Sequence, residues 1–140
     1  MHLTRESEYA LLALTYLAAA DGTAPVSVNE IAEARKLPVH FLAKILQKLG
    51  RDRIVTGGRG RGRGYVLARP IDRIKLADVL RAVEPPENMN SCLLWQGYCG
   101  DANPCPLHHR LKPVHRHIRE LLGSVSLADY VKGARHRAVR

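Results

Sequence analysis

The segment that most restricts the fold of this 140-residue chain is a glycine- and arginine-rich stretch at residues 57–64. Five of its eight residues are glycine, a poor helix former, so no helix is expected to continue through it. Short runs of β-branched and aromatic residues flank it, Ile54–Thr56 and Tyr65–Leu67. The sequence therefore predicts two short strands and a turn that carries three guanidinium groups, those of Arg59, Arg61 and Arg63.

Three helices are predicted before this hairpin. The first covers residues 4–20, where apolar side chains recur at helical spacing after Thr4, a suitable N-cap. Ser27 and Glu30 have the pattern of a capping box, in which each side chain accepts a hydrogen bond from a free backbone amide. A third helix is expected to start near Pro38. Its buried stripe is predicted to consist of Phe41, Leu42, Ile45, Leu46 and Leu49.

The second and third helices have the pattern of a helix-turn-helix, because they are joined by a tight turn and the second has a basic face. A hairpin directly after such a pair is typical of a wing, whose arginines reach phosphates or a narrow minor groove. Residues 1–70 are therefore predicted to be a winged helix-turn-helix DNA-binding domain. The candidate DNA-contacting residues are Ser27, Pro38, His40, Lys44, Lys48, Arg59, Arg61 and Arg63.

The formal net charge of +9 is unevenly distributed. Residues 51–73 carry a net charge of +5 and residues 106–140 carry +6, while the segment between them is mildly acidic. Next to a helix-turn-helix, such basic blocks favour double-stranded DNA as the partner. No apolar run approaches the roughly 18 residues that a membrane span needs, so we expect a cytoplasmic protein without a membrane partner.

After the wing, the sequence predicts a connecting helix and a cysteine-containing loop over residues 71–105, with residues 84–105 irregular. Residues 106–140 are predicted to hold a long dimerisation helix and a basic tail, in a chain that is mainly α overall. A kink, or a helix start, is expected near Pro113, and a final short helix is expected to end near Val131. The spacing of 3 and 4 residues predicts an apolar seam for a partner helix at Leu111, Val114, Ile118, Leu121 and Val125.

All three cysteines lie in the predicted loop, with the spacing C-x6-C-x5-C. They are Cys92, Cys99 and Cys105, and two histidines follow, His108 and His109. Three thiolates on one flexible loop can converge on a metal. Zinc suits three cysteines and one histidine, and Cys105-x3-His109 has the spacing of a CCCH zinc finger. An iron–sulfur cluster also takes thiolates, with a histidine or an oxygen ligand at one position. The spacing of the cysteines alone does not distinguish a zinc site from an iron–sulfur cluster.

The order and spacing of these motifs resemble those of the IscR/NsrR family of winged-helix iron–sulfur regulators, over about residues 1–133. The resemblance rests on the motifs at residues 3–11, 27–32, 41–49 and 59–67, on the three cysteines and on Ser126-Leu127-Ala128-Asp129. It implies a homodimeric repressor or activator whose cluster state sets which DNA sites it binds. The chain departs from several family members in its x6 spacing and in Arg61 and Arg63. In the third helix, Ala43 stands where some members carry an acid that affects base choice, so the operator of a relative does not carry over.

The resemblance also suggests the fourth ligand. His108 matches members that use a histidine there, and Glu8 matches the position from which other members supply a carboxylate of the partner subunit. We favour His108, with Glu8 as the rival, and a 2Fe–2S cluster over a 4Fe–4S cluster.

Two other functions remain open at this point: a zinc-stabilised nucleic-acid-binding module without sensing, and a metal-free thiol redox switch. The sequence has no nucleotide-binding glycine motif at a strand-to-helix turn. We therefore expect neither enzymatic activity nor a small-molecule substrate.

Overall fold

The computed structural model describes residues 1–20, 24–58, 63–94 and 99–137, with the backbone alone for 135–137. Within these ranges the chain forms seven α-helices and one two-stranded antiparallel sheet. The elements are α1 (Arg5–Ala19), α2 (Val28–Arg35), α3 (Val39–Arg51), β1 (Val55–Gly57), β2 (Tyr65–Leu67), α4 (Leu76–Val83), α5 (Pro86–Asn90), α6 (His108–Ser124) and α7 (Leu127–Arg137). The mainly α fold with a β-hairpin after the third helix confirms the predicted fold class.

The core is formed by one face each of α1 to α4. Leu14 of α1, Ile31 of α2, Leu42 of α3 and Val79 of α4 are all fully buried. Helix α1 packs against α2, α3 and α4, so it is the central element of this half. Each such aliphatic side chain stabilises the fold by about 1.5–3 kcal/mol, which explains why few aromatic residues are needed.

The hairpin is held at its base by the predicted strands. Val55 pairs with Leu67 and Gly57 with Tyr65. Tyr65 also exchanges two backbone hydrogen bonds with Val26, in the segment before α2, at 2.8 and 3.0 Å. The wing is thereby attached to the helix-turn-helix. Its tip, with Arg59 and Arg61, lies outside the described residues.

Gly64 makes this attachment possible. The residue is buried, and a Cβ at its position would lie 2.8 Å from the backbone of Pro25 and of Val26. No side chain fits in that space without movement of the backbone. The close approach therefore requires glycine at residue 64.

The helix starts agree largely with their sequence signals. Thr4 caps α1 by accepting from the Glu6 amide, and Ser27 caps α2 by accepting from the Glu30 amide. The prediction that the Glu30 carboxylate accepts from a free backbone amide was wrong, because this carboxylate accepts from the Tyr16 hydroxyl at 3.1 Å instead. That contact ties α2 to α1.

The buried stripe of α3 is confirmed except at Phe41, which is 57% exposed. The four buried positions, Leu42, Ile45, Leu46 and Leu49, lie within an arc of roughly 100° on a helical wheel. Phe41 lies about 90° from the centre of that arc. Its i+4 spacing from Ile45 suggested burial, although its place on the wheel is at the solvent edge.

The second half of the chain is more helical than expected. Helix α5 lies inside the predicted irregular loop. Helix α6 starts at His108 and continues through Pro113, so the expectation that it starts near the proline was wrong. Proline at that position removes a single intrahelical donor, and the helix persists around it. Helix α7 extends beyond Val131 to Arg137.

Helix α7 returns the chain to the first half. Ser126 and Asp129 form a complete capping box at its start, with the Asp129 carboxylate accepting from the Ser126 amide at 3.0 Å. Leu127 is fully buried in the core formed by α1 to α4, and its amide donates to the Ile74 carbonyl at 2.7 Å. The domain boundaries at residues 70 and 105 stay predictions. In the described ranges, every helix is too short or too polar to cross a membrane.

Candidate metal centre and DNA-binding surface

The three cysteines converge because short elements bracket their loop. Cys92 follows α5 by two residues and is buried, and Cys105 stands three residues before α6. A tight turn holds the middle of the loop, since Gly100 and Asn103 exchange backbone hydrogen bonds of 3.3 and 3.1 Å. Cys99 lies directly before that turn.

The three Sγ atoms lie within 4.8 Å of one another. The sulfurs of Cys92 and Cys105 are 3.7 Å apart, and the Cys105 amide donates to the Cys99 sulfur at 3.4 Å. Burial raises the pKa of the Cys105 thiol, and the adjacent thiols of Cys99 and Cys92 add to the effect. Three soft donors so close together form a ligand set for zinc, iron or an iron–sulfur cluster.

His108 joins this group from the first turn of α6. Its Nδ1 is 3.3 Å from the Cys99 sulfur, and its Nε2 is 2.9 Å from Oδ1 of Asp101. Asp101 also accepts from Lys112 at 2.7 and 2.8 Å. Lys112 and His108 together lower the pKa of the Asp101 carboxyl to about 2.

The other two candidate ligands lie elsewhere. His109 is exposed, and its ring packs edge-on against that of His108 at 5.4 Å. Glu8 is exposed in the first turn of α1 and does not belong to the group of sulfurs. Its role toward a partner subunit stays a prediction.

The start of the chain is tied to the cysteine loop. His2 donates its amide to the Asn88 carbonyl at 2.9 Å, and its Nε2 lies 3.2 Å from the Cys92 carbonyl oxygen.

Glu84, at the end of α4, is buried and accepts from the amide and hydroxyl of Thr4 at 2.7 and 2.9 Å. It also accepts from the Ser7 hydroxyl and from Asn88. Burial alone would raise the pKa of Glu84, but the hydrogen bonds from Asn88, Ser7 and Thr4 outweigh it and lower the pKa.

Three of the described candidate DNA-contacting residues, Pro38, His40 and Lys44, lie at or near the start of α3. Pro38 is its N-cap, and the side chains of His40 and Lys44 are exposed, as is Arg63 at the base of the wing. Ser27 uses its hydroxyl to cap α2. Lys48 points back to α1, where it forms an ion pair with Glu6 and donates to the Val83 carbonyl at 3.4 Å. Its charge is therefore partly engaged within the chain.

The predicted dimer seam is only partly covered. Helix α6 packs against α4, and none of its residues is fully buried. Val114 is 50% exposed and Leu121 is 51% exposed, while Leu111 and Ile118 are half-buried. Val125 lies just beyond the helix, where its carbonyl accepts from the Leu76 amide at 3.0 Å.

The family model of Rrf2, described as an iron-dependent transcriptional regulator, matches residues 3–133. The chain belongs to the Rrf2 family. An HTH-type regulator of Azotobacter vinelandii is 34% identical over 131 residues, which is 94% of this chain and 79% of that protein. IscR of Xenorhabdus nematophila is 30% identical over 132 residues, covering 94% and 80% of the two chains.

Solved Rrf2-type structures share the fold. IscR of T. potens superposes with a TM-score of 0.73 at 28% identity, over 96% of this chain and 88% of that one. CymR, the global cysteine regulator of B. subtilis, superposes with a TM-score of 0.76 at 25% identity, over 94% and 97%. These similarities confirm the predicted resemblance, and they make the chain a transcriptional regulator of a DNA-binding family.

Three residues of this Rrf2 protein were missed by sequence reasoning: Asp101, Glu84 and Phe41. Asp101 and Glu84 act through partners that lie 7 to 80 residues away, which no local pattern reveals. Phe41 was assigned to the core, although it follows His40 in the sequence and is exposed at the start of α3.

Proposed function

We propose that this chain is a homodimeric, sequence-specific DNA-binding regulator whose binding is controlled by an iron–sulfur cluster. The observation that carries the proposal is the convergence of three thiols within 4.8 Å, with His108 Nδ1 3.3 Å from one of them. It lies in a chain that matches the family of iron-dependent regulators over residues 3–133. Such a regulator works in the cytoplasm, where the DNA is.

The donor set fits the proposed group. Cys92, Cys99, Cys105 and His108 offer three sulfurs and one nitrogen, a combination that iron–sulfur clusters accept. A cavity of about 180 Å³ opens beside Cys92 and Cys99 and is also lined by Lys112 and Arg119. Those cations suit the negative charge that thiolates bring. When bound, a cluster supplies reversible redox chemistry. A histidine ligand fits both cluster types, and of the two we favour 2Fe–2S over 4Fe–4S.

The chain's own residues would do the DNA binding. His40 and Lys44 on the exposed start of α3, with Arg59, Arg61 and Arg63 of the wing, supply contacts to base edges and phosphates. Among the wing arginines we expect Arg59 to contribute most to specificity, because it alone matches the family's wing arginine. Arg61 and Arg63 should strengthen binding to all DNA alike.

The contacts of the cysteine loop suggest how the two sites communicate. Helix α5 and Cys92 are bonded to the chain start through His2, and Glu84 bonds Thr4 and Ser7 of α1. Helix α1 in turn holds α3 through the ion pair of Glu6 with Lys48. A change in the loop would therefore shift the helix that contacts DNA, and two-fold binding requires a fixed spacing of both such helices.

A second candidate, zinc binding without sensing, is favoured by one distance. Two thiolates on a tetrahedral zinc ion, with Zn–S bonds of about 2.3 Å, are roughly 3.8 Å apart. The Cys92 and Cys105 sulfurs are 3.7 Å apart. The same pair could also form a disulfide, which is the thiol-switch alternative.

Anaerobic purification separates these candidates. Iron and acid-labile sulfide in a coloured protein support the cluster, whereas a colourless protein with about one zinc per chain supports the structural metal. Cys99→Ala is the matched variant, because it removes one ligand and leaves the Cys92–Cys105 pair. A disulfide that still forms in Cys99→Ala, with no metal in the unsubstituted chain, would establish the thiol switch instead.

Control of DNA binding is measured with sites selected from a random library by the loaded dimer. Loaded and metal-free protein are titrated at fixed salt with a selected site and with unrelated DNA. We expect the ratio of specific to nonspecific affinity to differ by roughly 5- to 150-fold, the usual range of allosteric coupling. Indistinguishable ratios would leave the metal a structural role.

A further inference from the structure

We propose that Asp101 is a positioning residue of the cysteine centre, which fixes the His108 ring in the tautomer that presents Nδ1 as the metal ligand. The inference deepens the proposed function, since it concerns the same site and names the atom that binds. It rests on contacts made by both nitrogens of one ring.

The two ring nitrogens of His108 face different partners. Nε2 is 2.9 Å from Oδ1 of Asp101, and Nδ1 is 3.3 Å from the Cys99 sulfur. A carboxylate only accepts hydrogen bonds, so the ring proton must lie on Nε2. A neutral ring with its proton on Nε2 keeps its lone pair on Nδ1, which faces the sulfurs.

The position of Asp101 is fixed from two directions. The backbone exchange between Gly100 and Asn103 closes the turn that carries it. Lys112 stands one helical turn after His108 on α6, on the same face, and donates to both oxygens of the carboxylate at 2.7 and 2.8 Å. The carboxylate is therefore held in place although its side chain is 71% exposed.

The His108 side chain, by contrast, is 13% exposed, so its ring has little freedom to turn. Turning it over would break the bond to Asp101 and place the Cδ2 carbon where the ligand nitrogen is needed. A ligand nitrogen fixed before the metal arrives loses less entropy on binding, which is the usual function of a carboxylate behind a metal-bound histidine.

The first test uses metal-free protein. Nitrogen-15 NMR at a pH where the ring is neutral, with the His108 signals assigned by comparison with His108→Ala, should show the proton on Nε2. A proton on Nδ1 would overturn the proposal. This measurement does not depend on which metal or cluster the chain binds in the cell.

The second test is a double-mutant cycle with Co²⁺ alone, added anaerobically to metal-free protein and followed by its visible absorption. Asp101→Ala should weaken Co²⁺ binding about 10- to 100-fold, and Asp101→Asn, which keeps an acceptor oxygen, should recover most of the affinity. In a His108→Ala background, Asp101→Ala should cause no further loss. An equal loss in both backgrounds would show that Asp101 acts on the fold and not through His108.

The two proposals can fail separately. A chain that shows this cycle but assembles no iron–sulfur cluster refutes the proposed cofactor and leaves the role of Asp101 intact. A chain that assembles a cluster but shows equal losses in both backgrounds refutes the role of Asp101 alone.

Discussion

Glu84, at the end of α4, is a buried carboxylate whose hydrogen-bond partners come from two other helices. It accepts hydrogen bonds from Thr4 and Ser7 of α1 and from Asn88 of α5. A buried charge is tolerated when it is this fully hydrogen-bonded, and its loss leaves several donors without an acceptor. The residue therefore matters for stability as well as for the connection between the cysteine loop and α1.

We expect Glu84→Gln to lower the free energy of unfolding by about 1–3 kcal/mol at neutral pH, because one of its acceptor oxygens is replaced by a donor. The pKa of Glu84 is lowered in the folded protein, so its carboxylate contributes stability that is present above the unfolded-state pKa. That contribution is lost as the pH falls through the folded pKa. The difference between the two proteins should therefore shrink in acid.

Chemical denaturation at several pH values from neutral to acid measures this difference. Glu87→Gln, at an exposed position of α5, is the matched control and should leave stability unchanged at every pH. A Glu84→Gln deficit that stays constant into strong acid would mean that the charge of the carboxylate is not what stabilises the fold.

Phe41 presents an apolar ring at the exposed start of α3, beside His40. Such a ring can contact a thymine methyl group in the major groove. We expect Phe41→Ala to weaken binding to a selected site by about 1–3 kcal/mol and to leave unrelated DNA unaffected. Stability should stay within about 0.5 kcal/mol, since the ring is outside the core.

Fluorescence anisotropy at fixed salt, with selected and unrelated duplexes, checks this expectation. Tyr130→Ala removes another exposed ring, on α7, and should alter neither affinity. Equal weakening on both duplexes would place Phe41 outside the base-contacting surface.

At the scale of elements, the hairpin depends on its contact with the segment before α2. Gly64→Ala would place a methyl carbon 2.8 Å from the backbone of Pro25 and Val26, where no flexible side chain can move away. We expect a loss of about 1–3 kcal/mol of stability, the usual cost of overpacking. Thermal unfolding followed by circular dichroism measures it.

Gly123→Ala is the control for this substitution, because the space around that position near the end of α6 is open. It should keep or slightly raise the melting temperature, since alanine favours helix over glycine by about 1 kcal/mol. A Gly64→Ala protein as stable as the unsubstituted chain would show that the wing can separate from the α2 segment at little cost.

The elements also show what sequence can predict. The caps at Thr4 and at Ser126 with Asp129 were predictable because their signals span at most four residues. The convergence of the cysteines followed from their spacing on one loop. The roles of Asp101 and Glu84 depend on contacts between distant positions, so only the folded chain reveals them. Helix α5 was missed because a five-residue helix has too few positions to show a period.

At the scale of the whole molecule, helix α6 has an apolar side that the single chain leaves open at Val114 and Leu121. Its other side rests on α4, where Leu122 and Ala77 line a common cavity. A helix with one packed side and one open apolar side suits an antiparallel or crossed pairing with a second copy. The seam predicted from spacing therefore stays the proposed dimer interface.

We expect Leu121→Asp to shift the protein to monomers, because it would bury a charge in an apolar seam at a cost of several kcal/mol. Since Leu121 is half-exposed in the single chain, the protomer should still fold. Arg116→Asp places the same side chain on the opposite face of α6 and is the control. Sedimentation at low micromolar concentration distinguishes the states, and a dimeric Leu121→Asp protein would move the interface elsewhere.

Among the described residues of the ligand segment, 92–94 and 99–108, no side chain belongs to the main hydrophobic core. Substitutions there change the chemistry of the site at little risk to the folding of the helix-turn-helix. Mutation can therefore explore new ligands, new spacings or the loss of a cysteine without unfolding the DNA-binding half. This independence offers a reason why one architecture serves both IscR and a global cysteine regulator, and it makes the loop a favourable place to engineer a response to a different signal.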